Sequence, residues 1–149
     1  YPQALDQWYR DNIASDFPEV RTEISTLLQV EAELQEIVQL VGSDALPIDQ
    51  QLTLEVARMI REYFLQQNAF HDVDTYSDLK LQYDMARAIL SFQEEAKKAI
   101  ASGAQLEDVV NVPARTDLMR GRFEKGYKDK IGELVSEMGK QISATMEAN

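Results

Sequence analysis

The sequence predicts an all-α domain, a helical bundle of about four to six helices around a central antiparallel helical hairpin. In four segments, apolar residues recur at steps of three and four, which is the spacing of one helix face. The two-residue alternation that marks a half-buried strand does not appear convincingly anywhere in the sequence. With 149 residues, 44% of them hydrophobic, the chain is expected to form a single domain over residues 1–149.

The first helix of the hairpin is predicted over residues 18–41. Asp16 is a residue type that caps free N–H groups, and Pro18 is tolerated in the first turn of a helix. The predicted core face consists of Val20, Ile24, Leu27, Leu28, Leu34, Val38 and Val41. The opposite, solvated face carries Glu19, Glu23, Glu33 and Glu36.

The second helix of the hairpin follows a short turn. Gly42 is expected to end the first helix, and residues 43–47 form the turn. The apolar stripe of the second helix is Leu52, Val56, Met59, Ile60 and Phe64. A connection this short makes the two helices antiparallel neighbours.

Two further long helices are predicted in the second half of the chain. One begins at Ser77 or Asp78 and runs to Ser102, where Gly103 ends it. Its expected core residues are Leu81, Met85, Ala88, Ile89, Phe92, Ala96, Ala99 and Ile100. A short piece over residues 106–111 precedes Pro113, and the last helix covers residues 130–146. Its inner stripe is Ile131, Leu134, Val135, Met138 and Ile142.

The negative charge of the chain argues against nucleic acid or an anionic membrane surface as a partner. There are 26 acidic and 15 basic side chains, a formal net charge of −11, so most of the surface repels phosphate. The absence of cysteine excludes disulfides and thiolate metal sites and fits a reducing cytoplasm. No apolar run approaches the roughly 20 residues that span a bilayer, and the N-terminal residues lack an export pattern. We expect neither membrane insertion nor secretion.

Residues 121–128, GRFEKGYK, have the glycine spacing of a phosphate-binding loop. Tyr127 stands where such a loop needs lysine, and Lys128 stands where it needs serine or threonine. Since the lysine contacts the phosphates and the hydroxyl contacts magnesium, the mismatch removes both functions.

Other candidate sites are equally weak. His71, Asp72 and Asp74 include ligand types that a metal accepts, but a single histidine beside acids is more often a solvated loop residue. The neighbouring carboxylates Glu31 with Glu33, and Glu94 with Glu95, are predicted to lie on solvated helix faces. We therefore predict no metal site and assign no catalytic residue.

Basic residues are concentrated towards the C-terminal end. Residues 1–111 carry 20 acidic and 8 basic side chains, whereas residues 112–149 carry 6 and 7. The cations concerned are Arg115, Arg120, Arg122, Lys125, Lys128 and Lys130. They form either a solvated complement to the acidic bundle or a docking surface for a neighbouring subunit.

Residues 31–76 carry a specific family resemblance. The segments that carry it are ELQEIVQLVG over residues 33–42, DALP over 44–47, LEVARMIREYFLQQNAF over 54–70 and DTY over 74–76. It resembles the C-terminal region of the catalytic A subunit of archaeal and vacuolar-type rotary ATPases. The similarity extends over nearly the whole chain and is weakest after residue 125.

The resemblance implies a helical domain that couples central-stalk rotation to ATP synthesis or hydrolysis and to H⁺ or Na⁺ transport. The phosphate loop, the catalytic glutamate and the ATP or ADP with Mg would lie in a preceding domain of the intact protein. This chain alone is then expected to bind no cofactor and to be inactive. The implied partners are the B subunits and the central stalk subunits, and the implied location is peripheral, on the cytoplasmic side of the membrane.

The resemblance also implies two groups of contact residues. Phe70 would lie against the adenine ring of the nucleotide. The central stalk would be contacted by Ser43, Asp44, Ala45, Leu46, Pro47, Ile48, Asp49, Gln50 and Gln51.

Two other classes of protein share this composition. An acidic helical adaptor would need an exposed apolar groove, whereas the predicted stripes are all used inside one bundle. An independent hydrolase with clustered carboxylates would need a cleft to hold its substrate.

Overall fold

The computed structural model describes residues 3–65, 76–121 and 124–147 of the chain. Six helices of eight or more residues lie in this part: α1 (Gln3–Asn12), α2 (Phe17–Val41), α3 (Ile48–Ile60), α4 (Tyr76–Ala101), α6 (Pro113–Arg120) and α7 (Ile131–Glu147). A single turn, α5 (Leu106–Val110), lies between α4 and α6. The described residues contain no strand, so the predicted all-α bundle is confirmed.

Helix α4 is the central element of the bundle, because it packs against α2, α3, α5 and α7. Its predicted core face is confirmed, and Phe92 is the largest side chain in the described residues that is fully buried. The helix ends as expected near Gly103, which has a φ of +101° that a glycine adopts without steric cost. The N–H of Ala104 donates to Ala99 O and that of Gly103 to Ile100 O, so this helix end leaves few free carbonyls.

The predicted hairpin of α2 and α3 is confirmed. The two helices pack side by side, and Glu31 of α2 forms an ion pair with Arg61, which directly follows α3. Since these residues lie equally far from Leu46 in the turn, the helices run antiparallel. Gly42 ends α2 with a φ of +86°, and its N–H donates to Val38 O.

Two predictions about α2 are wrong. Val41 was expected in the core but is exposed, because the end of α2 extends beyond the elements that cover its apolar face. Glu31 was expected on a solvated face but is buried, because Arg61 supplies the charge that a carboxylate needs when it leaves water.

The predicted capping role of Asp16 is also wrong. Its side chain makes no cap hydrogen bond, and its Oδ1 instead accepts a hydrogen bond of 2.6 Å from the Tyr83 hydroxyl. Burial, together with this hydrogen bond, raises the pKa of Tyr83 to about 12, so the phenol stays protonated and continues to donate at neutral pH. The contact fixes the start of α2 to α4.

Helices α1 and α6 were not predicted from the sequence. Helix α1 buries no residue completely, but Tyr9 stacks on Phe17 at 4.5 Å between ring centroids, and Arg10 binds both carboxylate oxygens of Glu19. Helix α6 packs against α7, where the N–H of Ala114 donates to Gln141 Oε1 at 2.8 Å. Both helices therefore depend on contacts with other elements.

Candidate functional site at the hairpin tip

The turn between α2 and α3 is held by hydrogen bonds and by one buried side chain. A short 3₁₀ turn over Ser43–Ala45 follows Gly42, and the Leu46 side chain is buried beneath it. The Gln51 side chain reaches back and donates from Nε2 to Leu46 O at 2.8 Å. Pro47 adopts an extended conformation and its carbonyl accepts from the N–H groups of Gln50 and Gln51, which starts α3.

This geometry separates the nine residues that the resemblance assigned to stalk contact. Six are exposed on the outside of the turn, namely Ser43, Asp44, Ala45, Pro47, Ile48 and Asp49. Leu46 is buried, while Gln50 and Gln51 are half-buried. The surface available to a partner is therefore formed by the six exposed residues, and Leu46 and Gln51 hold the turn in shape.

An apolar surface lies next to the turn, and from the sequence only two of its four residues were assigned a role, Val41 in the core and Ile48 in the stalk contact. We call it the tip patch, and it consists of Ile37, Leu40, Val41 and Ile48. The Leu40 side chain is 85% exposed and that of Val41 is 62% exposed. Leu40 and Val41 follow Ile37 by three and four residues, and the three form an apolar stripe beside that of Leu34 and Val38, to which Val41 had been assigned from the sequence. That second stripe is the signal by which the patch could have been found.

The rest of the hairpin surface is acidic. Between residues 22 and 57 there are seven acidic side chains and no lysine or arginine. Two of the seven, Glu31 and Glu55, are held in ion pairs with arginines, and the other five are exposed. Asp44 and Asp49 border the turn, and Glu33 and Glu36 are exposed on α2 close to the tip patch. A partner for this tip therefore needs an apolar surface surrounded by positive charge.

At the other end of the hairpin, α3 continues directly into a π-helix over Arg61–Leu65. Tyr63 in this turn is buried and Phe64 is half-buried, as expected for a core residue, with their rings 4.8 Å apart. The π-helix leads into residues 66–75. Phe70, His71, Asp72 and Asp74 all lie outside the described residues, so their predicted roles stay predictions.

The C-terminal basic residues differ in their environments. Arg115 is mostly buried, because Nη2 pairs with Glu55 Oε2 at 2.9 Å and Nη1 donates to Val110 O at 3.0 Å. Its guanidinium carbon lies 5.1 Å from the centroid of the Phe92 ring. Arg120, Lys125, Lys128 and Lys130 are exposed, while Arg122 lies outside the described residues. Arg115 therefore belongs to the bundle and not to a docking surface.

The fold and the tip define a class of protein: all-α domains with an exposed helical hairpin. Within the part of the chain that the structure describes, no helix combines the length and apolar character needed to cross a bilayer. The family model described as the C-terminal domain of V and A type ATP synthase matches residues 6–110. The chain belongs to this family.

Curated relatives agree with this family assignment. The chain is 50% identical over 142 residues to the A subunit of the A-type ATP synthase of Natronomonas pharaonis, and 42% identical over 144 residues to that of Methanosarcina mazei. It is 46% identical over 144 residues to V-type ATP synthase alpha chain 1 of Clostridium tetani. These alignments cover 95–97% of the chain but only 24–25% of each relative. The chain thus spans about a quarter of the length of the proteins that it matches.

Proposed function

We propose that this domain is the coupling arm of the catalytic A subunit in an A/V-type ATP synthase. In this role the hairpin tip contacts the central stalk, and rotation of the stalk moves the arm. The movement opens or closes the nucleotide site elsewhere in the intact protein, and ATP synthesis or hydrolysis is thereby coupled to H⁺ or Na⁺ transport. The tip patch is the observation that carries the proposal, because it is an exposed apolar surface on a braced hairpin in a member of this family.

The same proposal assigns the partners and the location. The central stalk contacts the tip, the B subunits contact other faces of the domain, and the head lies peripherally on the cytoplasmic side of the membrane. ATP or ADP with Mg is bound by the intact protein. The isolated domain is expected to show no ATP turnover, since the phosphate-binding groups belong to the remaining three quarters of the full-length chain.

An acidic adaptor is the second candidate. The sequence argued against it because every apolar stripe was predicted to lie inside the bundle, and the exposed tip patch removes that objection. The family assignment favours the ATP synthase over this alternative, because the hairpin and the turn both lie inside the matched residues 6–110. The adaptor would use the same patch to hold a partner permanently, whereas the coupling arm exchanges contacts as the stalk turns.

The tip patch is expected to transmit more of the torque than the acidic residues do. In the full-length protein within its assembled complex, Leu40→Ser/Val41→Ser should lower ATP-driven torque strongly. Burial of each side chain against a partner is worth about 1.5–3 kcal/mol. Asp44→Ala/Asp49→Ala should leave rotation largely intact, since an exposed ion pair contributes about 0–1 kcal/mol. Single-molecule rotation against a viscous load measures both.

The two pairs are matched controls for each other, because all four side chains are exposed and none supports the core. Thermal unfolding of the isolated domain should be the same for both variants. Loss of most of the torque in the aspartate pair, with the Leu40 and Val41 pair unaffected, would assign the coupling to charge and contradict the proposal.

Phe70 is proposed to stack on the adenine ring in the intact protein. Phe70→Ala is expected to weaken nucleotide binding by about 1–3 kcal/mol, by analogy with the stacking of nucleobases on aromatic side chains. Equilibrium titration of the full-length protein with a fluorescent ATP analogue measures the effect. Phe70→Trp is the matched control and should retain most of the affinity. Unchanged affinity in the alanine variant would remove Phe70 from the nucleotide site.

A further inference from the structure

Helix α1 presents a second exposed apolar surface, apart from the tip patch. Leu5 is 39% exposed, and Trp8, the only tryptophan in the chain, is 43% exposed. The two lie three residues apart, so they are neighbours on one side of the helix. We call this pair the α1 face. Tryptophan is strongly enriched among the residues that carry most of the energy of protein contacts, so its exposure here indicates a contact surface.

Helix α1 is firmly held although it buries little. A helix of ten residues is marginal in water by itself, and no residue of α1 is completely buried. Two guanidinium nitrogens of Arg10 donate to the two carboxylate oxygens of Glu19 at 2.6 and 2.9 Å, and one of them also donates to Ser15 O at 2.6 Å. Tyr9 stacks on Phe17. These contacts fix α1 to the start of α2 and leave the α1 face outside.

The α1 face and the tip patch lie at opposite ends of α2. Helix α1 is bound near Glu19, at the start of α2, whereas Leu40 of the tip patch is close to the end of α2. With a rise of 1.5 Å per residue, these two positions are about 30 Å apart along the helix. A coupling arm needs one end that is moved and another end that is attached. The tip patch is placed for the first of these roles, and the α1 face is placed for the second.

The length of the relatives indicates what covers the α1 face. The matching family model is that of a C-terminal domain, and the chain covers only 24–25% of each relative. In a protein built like these relatives, the remaining three quarters precede this domain, and α1 is its first helix. A segment joined closely to α1 has an effective concentration in the millimolar range, so a small contact is enough to hold it.

The area of the α1 face argues against a separate partner. A stable contact between two proteins buries about 800 Å² on each of them. A whole tryptophan side chain supplies only about 150–250 Å², and Trp8 is less than half exposed. A second copy of the chain or another subunit would therefore gain too little from this surface to stay bound.

We propose that the α1 face packs against the preceding part of the same A subunit and attaches the arm to it. This inference rests on the proposed function, because it takes the chain to be one domain of that longer subunit. It adds which surface of the domain makes the attachment. It also requires that the contact exists in the free subunit, before other subunits assemble around it.

Cysteine labelling measures this contact, since residues 1–149 contain no cysteine of their own. The full-length A subunit is treated with a maleimide, free and in the assembled complex, and mass spectrometry locates the label. Gln7→Cys is the matched control for Leu5→Cys, because Gln7 is also exposed and lies on the other side of α1. In the free subunit, Leu5→Cys should react about tenfold more slowly than Gln7→Cys, which corresponds to about 1.4 kcal/mol.

Three results would overturn the inference. Equal rates for Leu5→Cys and Gln7→Cys in the free subunit and in the complex would show that the α1 face is open. Protection of Leu5→Cys that appears only in the complex would assign the α1 face to another subunit. Protection that is lost when the free subunit is diluted would assign it to a second copy.

Trp8 is a second probe that needs no substitution, in case Leu5→Cys itself loosens the contact. Oxidation of Trp8 by hydroxyl radicals should be about tenfold slower in the free full-length subunit than in the same protein unfolded in urea. Protection no greater than the 43% exposure of Trp8 in the domain alone explains would overturn the inference.

Leu40→Cys tests the proposed function in the same experiment. It should react freely in the free subunit and more slowly in the complex, where the stalk contacts the tip patch. If Leu40→Cys reacts equally fast in both, the proposed stalk contact fails, whereas a protected Leu5→Cys still supports the attachment. If Leu40→Cys is protected in the complex but Leu5→Cys is reactive throughout, the proposed function stands and the inference fails.

Discussion

Replacing Phe92 with alanine is expected to lower the free energy of unfolding by about 3–5 kcal/mol, the usual range for a buried aromatic residue. Phe92 is fully buried on α4, the helix that contacts most of the others, so the cavity would open in the centre of the bundle. The neighbouring helices cannot all move in to fill it, because each is also packed against others. Urea denaturation of the 149-residue chain, followed by circular dichroism, measures the change.

Lys97→Ala is the matched control for Phe92→Ala, because Lys97 lies on the exposed face of the same helix. It should change the free energy of unfolding by no more than about 0.5 kcal/mol. A loss below about 1 kcal/mol for Phe92→Ala would show that the centre of the bundle can collapse around a missing ring.

Replacing Arg115 with methionine is expected to destabilise the domain by about 2–3 kcal/mol, somewhat less than for a fully buried ion pair that loses one partner. The change removes the cation that pairs with the Glu55 carboxylate. The Glu55 side chain is 28% exposed and so keeps some hydration. It also removes the hydrogen bond to Val110 O and the contact with the Phe92 ring, although the methionine chain fills part of the volume. Thermal and urea unfolding of the purified chain measure the effect.

The control for Arg115→Met is Arg120→Met, on the same short helix. Arg120 is exposed and forms no ion pair with any residue in the described ranges, so its replacement should leave stability nearly unchanged. Equal losses for the two variants would mean that α6 depends on arginine in general and not on the pair with Glu55. Such a result would contradict the anchoring role given to Arg115.

The elements with long apolar stripes were predictable from the sequence because their burial is a property of the helix itself. Helices α2, α3, α4 and α7 each repeat apolar residues at helical spacing, and the predicted bounds of α2, α4 and α7 are close to the observed ones. Helices α1 and α6 were not predictable in this way. Helix α1 is held by the stacking of Tyr9 on Phe17, and α6 by packing on α7, and neither contact leaves a periodic pattern.

The site was predictable in part for the same reason. The position of the turn followed from Gly42 and from the two stripes on either side of it. The burial of Glu31 was not predictable, because its partner Arg61 is 30 residues away and is brought close only by the hairpin. The exposure of Val41 depends on how far α2 extends past the elements packed against it. The apolar pattern of α2 alone does not indicate that distance. Phe70 lies outside the described residues, so its assignment still depends on the resemblance.

The exposed acidic residues near the hairpin tip have a consequence for solubility. An exposed apolar surface at the end of a helix pair would ordinarily cause copies of the protein to associate. Here aspartate and glutamate side chains lie around the tip patch, so the tips of two identical chains repel one another as they approach. This repulsion acts over about 8 Å at physiological ionic strength and weakens as salt is added. The acidic residues around the apolar tip thus discourage self-association of the domain.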